Sequence, residues 1–320
     1  MRRRALAAAA AGLFCAAEAP AQSYPVKPIR VVAAGSPAGS IDFIARIVGQ
    51  KVAPALGQPM VVENRGGAGG NLGAEVVARA APDGYTLLVI GASVAINPHI
   101  YTKLTYDPAK DLAAVTQTTS AGFVLAVHPT VPARTVQEFV TAAKASKAGI
   151  AYASPGIGQA QHLGMELLKN RGGFKAVHVP YKGGAPAVTG VVAGEADITL
   201  SSLPAAVPLM NAGKLKAIAV SSLARMPLLP AVPTVAESGF PGFEVNGWIG
   251  YFAPAGVPRE IAARVQGEIA KALRLADVQD ALKANGQQTV ASTPDAFAAY
   301  FRSELVKWGE VARLSGARAD

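Results

Sequence analysis

The residues best suited to chemistry form a glycine-rich turn, SPGIGQAQH, at positions 154–162. An alternating apolar run at 150–153 precedes this turn, and apolar residues at helical spacing follow it from Leu163. The pattern predicts a strand, a tight turn and the start of a helix. The first N–H groups of a helix have no partner inside the helix, and the positive end of the helix dipole lies behind them. The turn is therefore predicted to bind an anion.

A second turn, SPAGSID at positions 36–42, has the same order of strand, turn and helix. An apolar run at 29–34 precedes it, and helical spacing follows over 42–56. Neither turn contains an arginine, which argues against a bidentate side-chain clamp on the anion. We interpret the protein as two lobes that present these two turns to one small solute carrying a carboxylate.

The other glycine-rich segments do not match nucleotide motifs. Residues 67–72 and 156–161 both lack the last glycine of G-x-G-x-x-G, and neither segment carries the lysine and hydroxyl pair of a P-loop. The histidines at 99, 128, 162 and 178 have no partner at metal-ligand spacing. We therefore expect neither a cofactor nor a metal ion. In its helix, His162 is a hydrogen-bond donor or a packing residue, and sequence alone does not choose between the two.

A serine hydrolase is the alternative from another class of protein. Residues 91–95, GASVA, resemble a nucleophile elbow but lack its closing glycine. A serine, a histidine and an acid could still converge in space, so a secreted hydrolase that uses Ser93 or Ser154 remains open.

The N-terminal segment has the composition of a secretory signal peptide. Three arginines at 2–4 precede an apolar run at 5–17, and Ala19-Pro20-Ala21 matches a cleavage site. We expect residues 1–21 to be removed and the mature protein to be periplasmic. Phe14 is too bulky for the position before a lipidated cysteine, and Cys15 is the only cysteine, so the mature chain has no disulfide.

Composition and element order point to an α/β protein. Abundant Ala, Val and Gly suit sheets covered on both faces, and strands alternate with helices at the spacing of βαβ units. This order restarts near residue 123, which predicts two units with crossings near 118–122 and 245–250. The formal net charge is +9, but no basic cluster interleaved with aromatics accompanies it in the mature chain, so we expect no nucleic-acid partner.

Several blocks, in this order, resemble the Bug-type solute receptors of tripartite tricarboxylate transporters. They include 36–46 (SPAGSIDFIAR), 61–88, 152–168 (YASPGIGQAQHLGMELL), 178–199, 232–258 and 292–311. The resemblance covers nearly the whole mature chain. It implies a type II periplasmic-binding-protein fold, with lobe 1 formed by 22–122 plus 247–320 and lobe 2 by 123–246. It also implies hinge closure on a small organic acid, delivery to membrane permease subunits, no catalysis, and a monomeric receptor.

The same resemblance implies which residues hold one carboxylate of the ligand, largely through backbone N–H groups and water. The first turn supplies Ser36, Ala38, Gly39 and Asp42, and the second supplies Ser154, Gly156, Gly158, Gln159, Ala160 and His162. Candidates from other segments are Ser93, Asn97, Tyr181 and Asp197. The family takes up di- and tricarboxylates, some amino acids and aromatic acids, and the resemblance does not select among them. A receptor of this fold could also act as a sensor in signalling.

Some of these residues also have structural interpretations. Asp42 could cap its helix, because a carboxylate is favoured near a helix start. Asp197 could be a strand-end residue that faces solvent, and 66–70 is expected to be a structural turn. The family more often has paired glycines at 38–39 and a serine or threonine at 159, so Ala38 and Gln159 could reshape the pocket around the distal end of the ligand.

Overall fold

The computed structural model of the protein describes residues 24–147 and 149–319. The predicted signal peptide, residues 1–21 with Cys15, lies outside the described residues. None of the helices within the described ranges combines the length and the apolar character needed to cross a membrane.

The strands of the described residues are β1 (Ile29–Ala33), β2 (Met60–Asn64), β3 (Thr86–Gly91), β4 (Leu112–Ser120), β5 (Val124–Val127), β6 (Ile150–Ser154), β7 (Ala176–Pro180), β8 (Ile198–Ser201), β9 (Lys216–Val220), β10 (Ile249–Pro254) and β11 (Gln288–Thr289). The helices are α1 (Ser40–Leu56), α2 (Asn71–Ala78), α3 (Ser93–Ile100), α4 (Pro108–Asp111), α5 (Val136–Ala145), α6 (Ala160–Gly172), α7 (Gly184–Val192), α8 (Leu203–Asn211), α9 (Arg259–Leu273), α10 (Ala276–Ala284) and α11 (Pro294–Ser315). A 3-10 turn, Ala68–Gly70, precedes α2.

The strands form two separate sheets, each flanked by helices. The first has the order β11-β4-β10-β3-β1-β2, and the second has the order β7-β6-β8-β5-β9. β1 is parallel to β2 and β3, and β6 is parallel to β7 and β8, as the predicted βαβ units require. β10 and β5 are antiparallel to their neighbours, so the sheets are mixed rather than parallel throughout. This architecture confirms the predicted α/β fold with two lobes.

The first helix shows how the sequence builds a lobe. Ile44, Val48, Val52 and Leu56 recur every four residues and are all buried against the first sheet. Burial of such aliphatic side chains contributes about 1.5–3 kcal/mol each. The helix ends at Gly57, whose φ of 68° is the left-handed conformation that glycine adopts without strain. The start of α1 is thereby held at the carboxyl end of β1.

Two segments connect the sheets and run side by side. The chain passes from β4 to β5 through 121–123, and it returns to β10 through 245–248. An antiparallel bridge joins Gly122 to Asn246, and the N–H of Gly247 donates to the carbonyl of Ala121 at 2.8 Å. Paired crossing segments of this kind suit a hinge. The exact lobe boundaries at 122/123 and 246/247 stay a prediction.

The C-terminal helix ties the two units together. α11 packs against α3 and β4 of the first unit and against α6 of the second. Its Glu304 is buried and accepts hydrogen bonds from the indole N–H groups of Trp248 and Trp308, both at 2.9 Å. Glu304 also pairs with Lys307. Because Trp248 belongs to the returning crossing segment, this carboxylate fixes α11 to the hinge.

Replacing Glu304 should therefore weaken the whole fold. Glu304→Leu leaves two buried indole N–H groups unpaired, and we expect the free energy of unfolding to fall by about 3 kcal/mol. Glu304→Gln keeps an acceptor oxygen and should cost less. Urea denaturation followed by circular dichroism measures both values. Glu310→Leu, at an exposed position of the same helix, is the control and should change stability by about 0.5 kcal/mol or less. Equal stability of Glu304→Leu and wild type would contradict this role.

Candidate ligand-binding site

A cavity of about 460 Å³ lies between the two lobes. Its walls are formed by the starts of helices that follow strands of both sheets, by the crossing segments and by one loop of the first lobe. The lining includes helix starts (Ala38, Gly39, Ser40, Ile41, Ser93, Gln159, Ala160, Gln161, Gly184, Ser202, Leu203, Pro204), crossing residues (Ala121, Gly122, Phe123, Gly247, Trp248, Ile249) and a loop of the first lobe (Asn285, Gly286, Gln287). This volume is within the range typical of small-molecule sites.

The start of α1 supplies backbone donors to the cavity. The N–H of Gly39 donates to the carbonyl of Ser36 at 3.1 Å, which closes the turn. The next three N–H groups, of Ser40, Ile41 and Asp42, have no acceptor among the described residues. Because Ser40 and Ile41 line the cavity, donors from this helix start are available to an anion there.

Asp42 braces this turn from inside. One carboxylate oxygen accepts from the N–H of Ala38 at 2.9 Å, and the other accepts from Arg46 Nε at 2.8 Å. Burial alone would raise the pKa of Asp42, but the hydrogen bonds from Ala38, Asn64 and Arg46 outweigh it and hold the pKa below its usual value. The carboxylate is therefore charged and engaged with its own turn.

Ala38 adopts a φ of 62°, which is in the left-handed region. An alanine there costs about 1–2 kcal/mol, whereas glycine adopts the conformation freely. This gives a physical reason for the paired glycines expected at this turn. The contact of Asp42 with the Ala38 N–H offsets part of the strain.

The start of α6 faces the same cavity from the second lobe. Gly156 (φ 143°) and Gly158 (φ 77°) give the turn its shape, and the N–H of Gln159 donates to Gly156 at 3.4 Å. The N–H groups of Ala160, Gln161 and His162 have no acceptor among the described residues. The starts of α1 and α6, in opposite lobes, thus both have unpaired backbone N–H groups, and both helix starts line the same cavity.

Three further helices begin at the cavity. Ser93 of α3, Gly184 of α7 and Ser202 before α8 all belong to the lining. Among the described residues that line this cavity, none carries a formal charge. The site is therefore made favourable to anions by peptide dipoles rather than by lysine or arginine.

The remaining walls are apolar or neutral amides. Phe43, Phe123 and Trp248 supply aromatic surface. Gln159 and Gln161 come from the second lobe, and Asn285 and Gln287 come from the first. Such a lining orients a ligand by hydrogen bonds and excludes water from its carbon skeleton.

The structure brings together part of the predicted site. Ala38, Gly39, Ser93, Gln159 and Ala160 line the cavity. The other predicted residues, Ser36, Asp42, Asn97, Ser154, Gly156, Gly158, His162, Tyr181 and Asp197, are not among the lining residues. Ligand contact stays a prediction for all of them.

Three of the predicted side chains outside the lining form hydrogen bonds within the protein. Asn97 donates to the carbonyl of Gly69 at 3.1 Å and to Asn71 at 2.7 Å. Tyr181 donates to Glu195 at 2.6 Å, and Asp197 accepts from the N–H of Ala151 at 2.7 Å. These bonds give each side chain a structural role.

Gly158 supports the lobe contact rather than the cavity wall. A Cβ at this position would come within 2.2 Å of Ile100 Cδ1, and the φ of 77° disfavours other residues. A side chain here would clash with Ile100, the last residue of α3, and would strain the turn before α6.

Sequence reasoning missed several lining residues. The segment 202–204 follows a strand and begins a helix, so the same pattern could have identified it. Phe123 and Trp248 lie at the crossings that the restart of the element order predicts, but no signal in the sequence marks them, or 285–287, as cavity lining.

Behind the second turn, two histidines and a tyrosine form a stack. The rings of His162 and His178 lie 4.0 Å apart, and those of His178 and Tyr152 lie 4.9 Å apart. The N–H of Gly158 donates to His162 Nδ1 at 3.2 Å, so His162 acts as an acceptor and a packing residue. Tyr152 donates to the buried Glu166 at 2.6 Å. The stack supports the turn from within the lobe.

The structure does not favour the hydrolase alternative. Ser154 Oγ is 2.6 Å from His178 Nε2, but Ser154 has an exposed fraction of 0% and does not line the cavity. Ser93 lines the cavity, but no histidine among the described residues forms a hydrogen bond with it. Neither serine combines access to the cavity with an adjacent base, as nucleophilic catalysis requires.

The two lobes and the shared cavity define a solute-binding protein of the periplasmic-binding-protein class. Residues 44–316 match the family described as Tripartite tricarboxylate transporter family receptor. The chain belongs to this family, which confirms the resemblance seen in the sequence blocks.

Individual relatives agree over most of the chain. BugT of Bordetella pertussis is 34% identical over 305 residues, which cover 95% of this chain and 94% of BugT. The structure of R. palustris Rpa4515 with adipate has a TM-score of 0.78 at 29% identity, and the match covers 92% of this chain and 99% of that chain. MatC from Rhodopseudomonas palustris, with bound malate, has a TM-score of 0.75 at 34% identity, covering 90% of this chain and 99% of MatC.

The histidine stack makes stability depend on pH. Burial, followed by the charges of His178 and Lys169, lowers the pKa of His162 to about 3. Burial also lowers the pKa of His178 to about 4, although Glu166 opposes the shift. Below about pH 6.5 the unfolded chain binds protons that the folded stack does not. The free energy of unfolding therefore has its full contribution from the neutral histidines above pH 6.5, and this contribution is lost as the pH falls toward 4.

We expect His178→Gln to flatten this dependence. Between pH 7 and pH 4, wild type should lose about 2 kcal/mol more of its free energy of unfolding than the variant loses. Urea denaturation across that range measures the difference. His128→Gln, on a loop after β5 outside the stack, is the control and should retain the wild-type slope. Parallel profiles for wild type and His178→Gln would show that His178 is not held neutral by the fold.

Proposed function

We propose that this protein is a periplasmic receptor that binds one small organic carboxylate between its lobes. It then delivers this ligand to the membrane permease of a tripartite tricarboxylate-type transporter. The observation that carries the proposal is the pair of helix starts at 40–42 and 160–162, whose N–H groups have no acceptor among the described residues. The first two residues of each helix line one uncharged cavity. Membership in the receptor family supports the role in transport.

The ligand is proposed to be a di- or tricarboxylate or a related acid. Helix starts hold a carboxylate through several charge-assisted N–H bonds that are already oriented, so little ordering cost opposes binding. Relatives of similar fold carry adipate and malate. The neutral amide and aromatic lining then surrounds the rest of the molecule.

The proposal includes closure of the lobes and no chemical step. The donors belong to different lobes, so one carboxylate that contacts both stabilises the closed arrangement. The paired crossing segments at 121–123 and 245–248 would act as the hinge. We propose that the receptor acts as a monomer. A sensor for the same ligand would bind it in the same way, but its closed form would bind a signalling protein instead of the permease.

Proline at the first position of each helix tests the donors directly. Ser40→Pro and Ala160→Pro each remove one unpaired N–H from a residue that lines the cavity. The preceding Gly39 and Gln159 already have extended backbone, which tolerates a following proline. We expect each variant to bind the carboxylate about tenfold more weakly or worse, with stability retained. Isothermal titration calorimetry with malate, succinate and adipate measures the loss.

Two controls separate donor loss from other effects. Ser40→Ala removes the hydroxyl but keeps the N–H, so it should bind nearly as wild type does. Ala276→Pro places proline at the first position of α10, an exposed helix start that does not line the cavity, and should leave binding unchanged. Wild-type affinity in both Ser40→Pro and Ala160→Pro would contradict carboxylate binding at the starts of α1 and α6.

A further inference from the structure

A second, smaller cavity adjoins the first. It has a volume of about 40 Å³ and shares Leu203, Gly286 and Gln287 with the larger one. Leu203 belongs to the start of α8 in the second lobe, whereas Gly286 lies between α10 and β11 of the first lobe. A Cβ built on Gly286 would be 3.2 Å from Leu203 Cβ, so the two residues are in close contact between the cavities. The smaller cavity is thus a neighbour of the cleft, separated from it by the contact between Leu203 and Gly286.

The lining of this smaller cavity is mostly apolar and includes one cationic residue, Lys283. Met226, Pro227 and Leu228 form one wall, and Lys283 of α10 lies in the other. Among the described residues that line either cavity, Lys283 alone carries a charge. It is exposed and forms no ion pair with the described residues. An apolar cavity with an unpaired ammonium, next to the cavity that the two helix starts line, matches a molecule with an acid at each end.

We propose that the smaller cavity is a distal subsite for an elongated dicarboxylate, with Lys283 binding the far carboxylate. This inference rests on the proposed function, because the near carboxylate occupies the seat at α1 and α6. The methylene chain would then pass the aromatic and aliphatic walls, and the buried Leu203 side chain would move aside to let its end into the smaller cavity. Lysine suits this task since its flexible stem lies along apolar surface while the ammonium remains free to meet an anion.

The subsite predicts a dependence on ligand length. Succinate is too short to reach the smaller cavity while its first carboxylate is seated, so Lys283 should not affect it. Suberate should reach the lysine and bind more tightly than octanoate, which has the same number of carbons but only one acid group. The difference between suberate and octanoate isolates the distal carboxylate.

The test compares Lys283→Gln with a matched lysine. Lys214 is also exposed but precedes β9, which is parallel to β8, and so lies at the end of the sheet opposite the start of α8. We expect Lys283→Gln to weaken suberate about fivefold while succinate and octanoate change less than about twofold. Lys283→Arg should restore most of the suberate affinity, and Lys214→Gln should change none of the three ligands. Calorimetric titration of the ligand-free protein provides the values.

The outcomes separate this inference from the proposed function. Suberate binding unchanged by Lys283→Gln, or weakened equally in Lys214→Gln, would overturn the distal subsite while leaving the carboxylate receptor intact. If Lys283→Gln weakened succinate as much as suberate, the distal subsite would also be overturned. Lys283 would then affect binding without contacting a distal carboxylate. Failure of all carboxylates to bind the wild-type protein would overturn both.

Discussion

The structure depends on leaving backbone N–H groups unpaired where two helices begin. In most of a folded protein every buried donor has an acceptor, and a donor without one is costly. Here the N–H groups at 40–42 and 160–162 have no acceptor among the described residues, and the first two residues of each helix line the cavity. The surrounding residues maintain this condition: the turns close on Ser36 and Gly156, and Asp42 engages Ala38 instead of entering the cavity. In the proposed function, a bound anion accepts hydrogen bonds from these N–H groups, and those bonds contribute to its affinity.

Neutral walls strengthen this arrangement. A lysine or arginine in the cavity would hold a carboxylate by itself and would reduce the dependence on both lobes. Because the lining of the main cavity is uncharged, peptide dipoles from α1, α3, α6, α7 and α8 provide the attraction. These dipoles are fixed to their lobes. In the proposed function, recognition of the anion therefore depends on the relative position of the lobes, which the crossing segments and α11 join.

The sequence allowed the local parts of this design to be predicted. β1, α1, β6 and α6 have clear periodicity, and the turns between them carry glycine and proline signals. β4 was missed because its sequence, LAAVTQTTS, has few apolar residues, although residues 115–119 are buried and the strand pairs with β10 along most of its length. For α8 the C-cap signal at Gly213 indicated a helix, but its bounds were not predicted, because prolines occur at its start and inside it. In both cases tertiary packing outweighs local propensity.

The site was predictable to the extent that it consists of helix starts. The role of Asp42 as a brace was one of two interpretations, and only the contact with Ala38 distinguishes them. The far wall, with Phe123, Trp248 and Gln287, depends on pairing between segments more than a hundred residues apart, which no local pattern encodes. Ligand identity depends on that wall, so sequence alone leaves it open.

A crystal structure with a saturating dicarboxylate would test the central claim most directly. The account predicts one carboxylate within hydrogen-bond distance, about 3 Å, of a backbone nitrogen from 40–42 and of another from 160–162, either directly or through a single water. A carboxylate held only by side chains, or by one lobe alone, would contradict it.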